Sequence, residues 1–400
     1  MPEVVFNWKF NRVRGFALLC GFSSFVFTFI RIRPNRIAPA IDYHSWKVLG
    51  TEELLLYIAP LLLIISLEVL NIRRGVKDGV WKALVLILAA VYGFSIHFVV
   101  FYRVSLRLLE GSSSYSRASM GFGSWIWLFF CYVIVSTSLK SINSRKIKLL
   151  ILVFVILVLF ILGQAGVFET LGIVAEAKGK LGKFLFELRN HLKLSFTAVF
   201  LACIFGIPFG IVAYRRKLLE KPVFFFVNTV QTLPSLALFG LLIAPLAALS
   251  RLYPFLRELG IRGIGTWPAL IALFLYALLP ITRNTYTGLK IISDSVRESA
   301  SGMGMRRSQI FFLVELLIAL PVVLSGVRIS AVQAIGNTAV AALIGAGGFG
   351  VFLFQGLGQA APDLILLGTF PIIFLALVVD NIMDFLVIVS AGRWYRIDKR

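Results

Sequence analysis

The chain reads as an all-α, polytopic helical membrane protein with about ten transmembrane helices, and three observations carry that reading. Of its 400 residues 59% are hydrophobic, and Phe alone accounts for 36. Charged residues make up 15%, against roughly a quarter in soluble domains, and mean hydropathy is +0.90. Apolar runs of about 20 residues, enough to cross a bilayer as a helix, recur along most of the length. In lipid every backbone N–H and C=O must find its partner inside the protein, so such runs form helices and not loops or open strands.

The runs fall at 16–31, 54–71, 82–102, 124–139, 148–166, 194–214, 222–247, 266–287, 313–343 and 364–390. The first follows a basic N-terminus and has no small-residue cleavage site, so it reads as a retained helix and not a removed signal. The run at 313–343 is long for one span and is expected to tilt or to continue as a cytoplasmic helix. Between the fifth and sixth, Lys178, Lys180, Lys183 and Arg189 alternate with Leu181, Phe184, Leu185 and Leu188. That spacing suits an amphipathic helix lying on the surface. The chain therefore divides into a helical extension of about five spans (1–167), an amphipathic surface segment (168–190), a second set of about five spans (191–390) and a basic tail (391–400).

The formal charge of +21 comes from small basic groups at the ends of the runs: Lys9/Arg12/Arg14, Arg73/Arg74/Lys77, Arg145/Lys146/Lys148, Arg215/Arg216/Lys217 and Arg393/Arg396/Lys399/Arg400. No continuous basic face interleaved with aromatics is present, which argues against a nucleic-acid partner. Retention of Lys and Arg on the cytoplasmic side, with attraction to membrane lipid headgroups, accounts for the pattern. Cys20, Cys131 and Cys203 each sit in an apolar run as small core residues. His44, His97 and His191 have no partners at metal-ligand spacing, so no metal site is expected.

The two halves differ in texture. Apart from Glu68 and His97 the first holds few ionisable groups in its spans; Glu68 is expected to pack on another span through a shared hydrogen bond. The second half has Pro208, Pro234, Pro245, Pro280, Pro321, Pro371 and the run Gly345/Gly347/Gly348/Gly350 within or beside its spans. Such residues mark backbone that bends, packs closely or lines a cavity, as in interrupted transporter helices. Pro280, Pro321 and the four glycines are the hinge or close-packing candidates. Asn228, Gln231, Thr232, Pro234, Ser235, Asn337 and Thr338 are the pathway candidates; hydrogen bonding between helices is the other reading of the polar ones. Glu315, Arg328, Asp380 and Asp384 are charges costly to hold at mid-bilayer, and a location near the cytoplasmic side lowers that cost.

The most informative stretch is 298–321, ESASGMGMRRSQIFFLVELLIALP, a polar, glycine-punctuated segment between apolar runs. Ile292, Val296, Ala300 and Met303 recur at helical spacing and are expected to offer an apolar face to a groove on a soluble partner. Gly302 and Gly304 allow a sharp turn between two short helices. Glu298 is placed to cap the second of them or to pair with a basic group on the partner. The competing reading is an ordinary surface helix shortened by its glycines.

Residues 191–390 resemble the permease subunit of ATP-binding-cassette importers for glycine betaine, choline and related osmoprotectants. The resemblance rests on HLKLSFTAVFLACIFGIPFGI, NTVQTLPSLALFGLL, YALLPITRNTYTGL, ESASGMGM, LIALPVVLSGVRIS and NTAVAALIGAGGFG, in order and at family-like spacing over about half the chain. The long first half resembles the extended members of that group, without a separate role implied. The family's loop pattern is E-A-A-x-x-x-G, nine residues, then I-x-L-P. Glu298, Ala300 and Gly304 fall on it, and Ser299 replaces the first alanine. Val314, Glu315, Leu316 and Leu317 follow without the proline, and Pro321 comes one helical turn later.

What the resemblance implies is a type I importer permease core with a cytoplasmic coupling loop at 288–312. Glu298, Ser299, Ala300, Gly302, Gly304, Met305 and Glu315 would be its ATPase-coupling residues. The implied partners are ATPase subunits, an extracytoplasmic substrate-binding protein, and a second permease copy or paralogue in a bacterial inner membrane. No G-x-x-x-x-G-K-[ST] motif occurs, and the G-x-G-x-x-G at 345–350 follows an apolar helix rather than a strand. The chain is thus expected to be no enzyme and to hold no cofactor, ATP being used by a separate subunit. With the loop cytoplasmic, alternation places both termini inside, although Arg31, Arg33, Arg36 and Lys47 then lie outside against the positive-inside tendency. An importer of another amino acid or quaternary amine is the near alternative. A stand-alone secondary transporter is the distant one, and it predicts an inverted repeat or a paired intramembrane carboxylate.

Overall fold

The computed structural model describes residues 12–35, 38–74, 79–112 and 116–395; Lys9, Arg36, Lys77, Arg396, Lys399 and Arg400 fall outside that description. The chain separates into two units, Met1–Gly179 and Lys180–Arg400. Among the described residues nine helices are long and apolar enough to cross a membrane.

The first unit runs α1 (Arg12–Ser23), β1 (Thr28–Arg33), β2 (Ile41–His44), α2 (Ser45–Val48), α3 (Thr51–Arg74), α4 (Val80–Leu109), β3 (Arg117–Met120), α5 (Phe122–Leu139), α6 (Arg145–Gln164) and α7 (Gly172–Gly179). The span expected at 16–31 does not form. α1 ends after 12 residues, where the Ser23 and Ser24 hydroxyls donate to the carbonyls of Cys20 (2.9 Å) and Gly21 (2.7 Å). The aromatic and β-branched residues that follow suit a strand. β1 pairs antiparallel on both sides in the order β2-β1-β3, so its backbone groups are satisfied without a helix. Glycine is needed where α5 meets this strand, because a Cβ at Gly121 or Gly123 would collide with the carbonyl oxygens of Thr28 or Ser24.

Aromatic packing fills the unit beside the sheet. Tyr57 stacks on Trp127 with ring centres 4.1 Å apart, and its hydroxyl lies 3.0 Å from His97 Nδ1. Trp127 Nε1 donates to the Gly93 carbonyl at 2.9 Å. Nearer the other end of these helices, Glu68 accepts from Arg14 at 3.1 Å and from Lys82 at 3.2 Å. The buried carboxylate thus shares a hydrogen bond with another segment, as expected, and its partners are two cations.

The second unit comprises α8 (Leu181–Arg215), α9 (Lys217–Thr232), α10 (Ser235–Leu252), α11 (Pro254–Glu258), α12 (Thr266–Lys290), α13 (Asp294–Gly302), α14 (Arg307–Gln309), α15 (Leu316–Ala341), α16 (Gly350–Gly358) and α17 (Pro362–Tyr395). A π-helical turn, Ile310–Glu315, leads into α15, and a 3₁₀ turn, Ala342–Ile344, ends it. The amphipathic pattern at 168–190 is divided: α7 takes its first part, and 181–190 are the opening turns of the 35-residue α8. At 1.5 Å per residue α8 is about 50 Å long, well beyond the ~30 Å hydrocarbon core, so its polar turns extend past the apolar zone. The run at 222–247 is likewise two helices, broken at Leu233–Pro234.

α12 is the centre of this unit, packed between α8 and α15. Gly206 and Gly210 of α8 face Ile281, Thr282 and Thr285; Gly326 of α15 faces Pro280 and Asn284. Ser330 of α15 donates to the Ala277 carbonyl at 2.8 Å. Small residues at such crossings let helices approach closely, as membrane packing favours. Gly210→Leu should therefore reduce thermal stability in detergent, because the added Cβ would stand 2.6 Å from the Thr282 carbonyl oxygen, an overpacking cost of about 1–3 kcal/mol. Gly182→Leu, at a position with open space around it, should leave the melting temperature unchanged. Equal melting of both variants and the parent would contradict this packing.

Candidate functional site

The loop that joins α12 to α15 is built around Arg297. Its Nε donates to Glu315 Oε1 at 2.6 Å, and Nη1 donates to the Ile292 carbonyl at 2.9 Å and to Asp294 Oδ1 at 2.8 Å. Nη2 donates to the Leu289 carbonyl at 3.1 Å. One side chain thus ties the end of α12, the start of α13 and the π-helical turn. Burial works against its charge, but the bond to Glu315 and the neighbouring carboxylates outweigh it and hold the guanidinium pKa above its ordinary value. The π turn brings Glu315 inward, where it is buried with Phe311; such turns mark functional positions in helices.

The apolar stripe of α13 points inward, contrary to expectation. Ile292 and Val296 pack with Leu289, Phe311, Ala319 and Val323, and Ala300 is buried. Of the four residues expected to form the docking face only Met303 is exposed, at 76%. The outward face is polar instead: Ser295, Glu298, Ser299, Ser301 and Gly302. The stripe is buried because its partners lie on α12 and α15, within the same unit.

The end of α13 is a Schellman turn. Met305 N–H donates to the Ala300 carbonyl at 3.2 Å and Gly304 N–H to that of Ser301 at 2.9 Å. Gly304 has φ +81° with nothing near its would-be Cβ, so it is glycine for its backbone and not for space. Gly302 sits in the last turn of α13 in open space with no left-handed φ, so the turn does not require it. Glu298 is not the cap of α14; that place is taken by Gln309, whose Oε1 accepts from the Arg306 N–H at 2.8 Å.

A second feature is the break between α9 and α10. The Leu233 carbonyl, freed where the helix stops before Pro234, accepts a hydrogen bond from the Tyr276 hydroxyl. Tyr276 is ten residues into α12, about 15 Å from its end, so the break lies near mid-span. Around it Asn228, Thr232 and Pro234 are exposed and Gln231 and Ser235 half-buried. Thr232 donates to the Thr229 carbonyl. On α15, Asn337 is half-buried, while Thr338 is buried and donates to the Ala334 carbonyl of its own helix. No hydrogen bond joins the two sets among the described residues.

The glycine run forms a third, clasped element. Gly345, Gly347 and Gly348 have φ of +79°, +82° and +85°. Gly348 N–H donates to Glu187 Oε2 at 2.6 Å, and Phe349 N–H to His191 Nδ1 at 3.3 Å. His191 then carries its proton on Nε2, which donates to the Ile335 carbonyl at 3.1 Å. Gly350 opens α16 where a Cβ would collide with the Ala339 carbonyl. Pro280 and Pro321 lie inside α12 and α15, which continue as helix past them; Asn284 and Ser325 donate to the carbonyls of those prolines at 2.8 and 2.9 Å. Arg328 of α15 grips Asp380 of α17 through Nε (2.6 Å) and Nη2 (2.8 Å), and Asp384 through Nη1.

Four of the residues that organise these elements were not among the sequence candidates: Arg297, Tyr276, Glu187 and His191. The last two lie four apart on α8 and so share a face, which was a readable signal for a paired polar site. Tyr276 binds a carbonyl oxygen, and so do two of the four Arg297 bonds, and carbonyls leave no trace in sequence.

Residues 206–388 match the family described as binding-protein-dependent transport system inner membrane component. Residues 11–174 match the N-terminal domain of the ABC transporter permease YehY. The chain is 38% identical over 202 residues to the glycine betaine/carnitine/choline transport system permease protein OpuCB of Bacillus subtilis, covering 50% of this chain and 86% of that one. It is 39% identical over 228 residues to the osmoprotectant import permease protein OsmW of Salmonella typhimurium, covering 57% and 100%. A chain of the MetNI methionine ABC transporter, in an inward-facing conformation, aligns with TM-score 0.46 and 22% identity over 52% of this chain and 97% of its own.

Removing the Arg297 side chain leaves the buried Glu315 carboxylate without its cation, a loss of about 3 kcal/mol for one partner of a buried pair. Arg297→Ala should raise amide hydrogen exchange across 291–306 while the amides of α12 stay protected. Unchanged exchange in the loop would show that Arg297 does not hold it.

Proposed function

Since the chain belongs to the binding-protein-dependent transport system inner membrane components, we propose that it is the permease of an ATP-driven importer of glycine betaine, choline or a related osmoprotectant. The observation that carries this reading is the loop at 291–306. It is a short helix with its apolar side locked onto the membrane unit and its polar side free. A separate ATPase subunit docks on Glu298, Ser299, Gly302 and Met303. The Arg297 hold passes its movement directly to α12 and α15.

The loop lies on the cytoplasmic side, and alternation through α15 and α17 puts the C-terminus there and the glycine clasp outside. An external binding protein selects the substrate. Two permease copies enclose the path, since Arg328, Asp380 and Asp384 are each about a third or more exposed within spans, and charges there face protein or water, not lipid. The polar groups at the α9–α10 break, with Asn337, line that path. ATP binding and hydrolysis on the partner rock the two copies between inward- and outward-facing states, and this chain holds no cofactor of its own.

Purification from native membranes in mild detergent tests the reading. An ATPase subunit should accompany the wild-type chain and be lost from Gly304→Arg, which forces a long side chain into the left-handed turn. Betaine or choline uptake into vesicles should then require ATP. Recovery of the chain alone, with uptake driven by an ion gradient, would replace this reading with a stand-alone secondary transporter.

A further inference from the structure

Four cations, Lys140, Arg145, Lys146 and Lys148, stand together where α5 ends and α6 begins. All four are exposed, and none forms an ion pair among the described residues. No Asp or Glu occurs between Glu110 and Glu169. Three of the four lie in the first turn of α6, behind the Ser144 N-cap, and that turn contains no acid. A helix N-terminus carries partial positive charge, so cations there are disfavoured by the dipole as well as by one another. Retention of basic residues on one side of a membrane explains their sign. It does not explain their concentration at the helix end that repels them most.

A second, independent feature lies directly along the same helices. A cavity of about 200 Å³ opens between α4, α5 and α6, with Phe94, Leu128, Tyr132, Val135, Val155 and Leu159 in its wall. Tyr132 and Leu159 are 66% and 37% exposed, so the cavity opens sideways, out of the unit. α6 buries only Leu162 fully; Ile147, Ile151, Val155 and Val158 are half-buried against Ala83, Ile87, Val91 and Ile142, and its other apolar side chains face outward. Counting along the helices at 1.5 Å per residue, Val135 lies about 7 Å from Lys140. Val155 lies about 15 Å from Arg145 and Leu128 about 18 Å from Lys140. One leaflet's acyl chains span about 15 Å, half the hydrocarbon core.

We propose that this is a binding site for an anionic phospholipid. The phosphate sits against Lys140, Arg145, Lys146 and Lys148 at the N-terminus of α6, and one acyl chain runs along α5 and α6 into the cavity. The headgroup supplies the negative charge that the helix end lacks, and the tail fills the apolar volume that the loose seating of α6 leaves open. Basic clusters at membrane surfaces attract anionic headgroups in this way; here the cavity adds a place for the tail.

The test uses the full chain in phosphatidylcholine vesicles containing phosphatidylglycerol with a diazirine at the end of one acyl chain, irradiated and mapped by peptide mass spectrometry. Label should concentrate on Leu128, Tyr132, Val155 and Leu159. A phosphatidylcholine probe of the same chain should label them far less. Neutralisation should weaken labelling roughly fivefold per charge removed, read first in Lys148→Gln and then in the variant with all four changed to Gln. Val158→Trp, which fills the cavity, should abolish tail labelling; its fold is checked by size exclusion. Even labelling along the outer face of α6, equal labelling by the two probes, or full labelling of the neutralised variant would overturn the proposal. So would loss of the label on adding inorganic phosphate, which would indicate a site for the free anion instead.

Discussion

Everything in this chain answers to one constraint: inside a bilayer, a backbone N–H or C=O without a partner is not tolerated. Long helices meet it by themselves. The points of interest are those where the helix stops, because there the missing partner comes from elsewhere. β1 takes its partners from β2 and β3. Leu233 takes the Tyr276 hydroxyl. Gly348 and Phe349 take Glu187 and His191. The end of α12 takes the Arg297 guanidinium at Leu289 and Ile292. Each interruption is therefore a tie between two segments as well as a break in one.

That arrangement suits a protein that must move without unfolding. α12 is held closely by glycine contacts to α8 and α15, and the loop below it is fixed to the same helices through Arg297 and Glu315. A push on α13 is thus a push on the core. The break between α9 and α10 and the glycine clasp have fewer ties. The α9–α10 break lies near mid-span, and interrupted helices at that depth are how transporters build substrate paths.

Much of this was legible in the residues. Composition and run length placed most of the spans, and Gly304 was singled out at the position that does adopt a left-handed φ. The misreadings have physical causes. At 16–31 an apolar run with Ser23 and Ser24 inside it does not distinguish one helix from a short helix and a strand. At 222–247 hydropathy continues across a break that Pro234 imposes on the backbone. The apolar stripe of α13 was assigned to a partner because the groove that receives it is assembled from Leu289, Phe311 and Ala319, distributed over three elements. Arg297 passed unnoticed since two of its four bonds go to carbonyl oxygens and its main carboxylate lies 18 residues on.

The central claim is that α13 presents its polar face, and not its apolar one, to the partner that drives it. Cysteine cross-linking in native membranes decides this. Ser299→Cys and Met303→Cys should form cross-links to an ATPase subunit, whereas Val296→Cys, which faces α12 and α15, should form none. Cross-links from Val296→Cys with none from Ser299→Cys would mean that the helix turns over on docking, and the Arg297 hold would not be the coupling element described here.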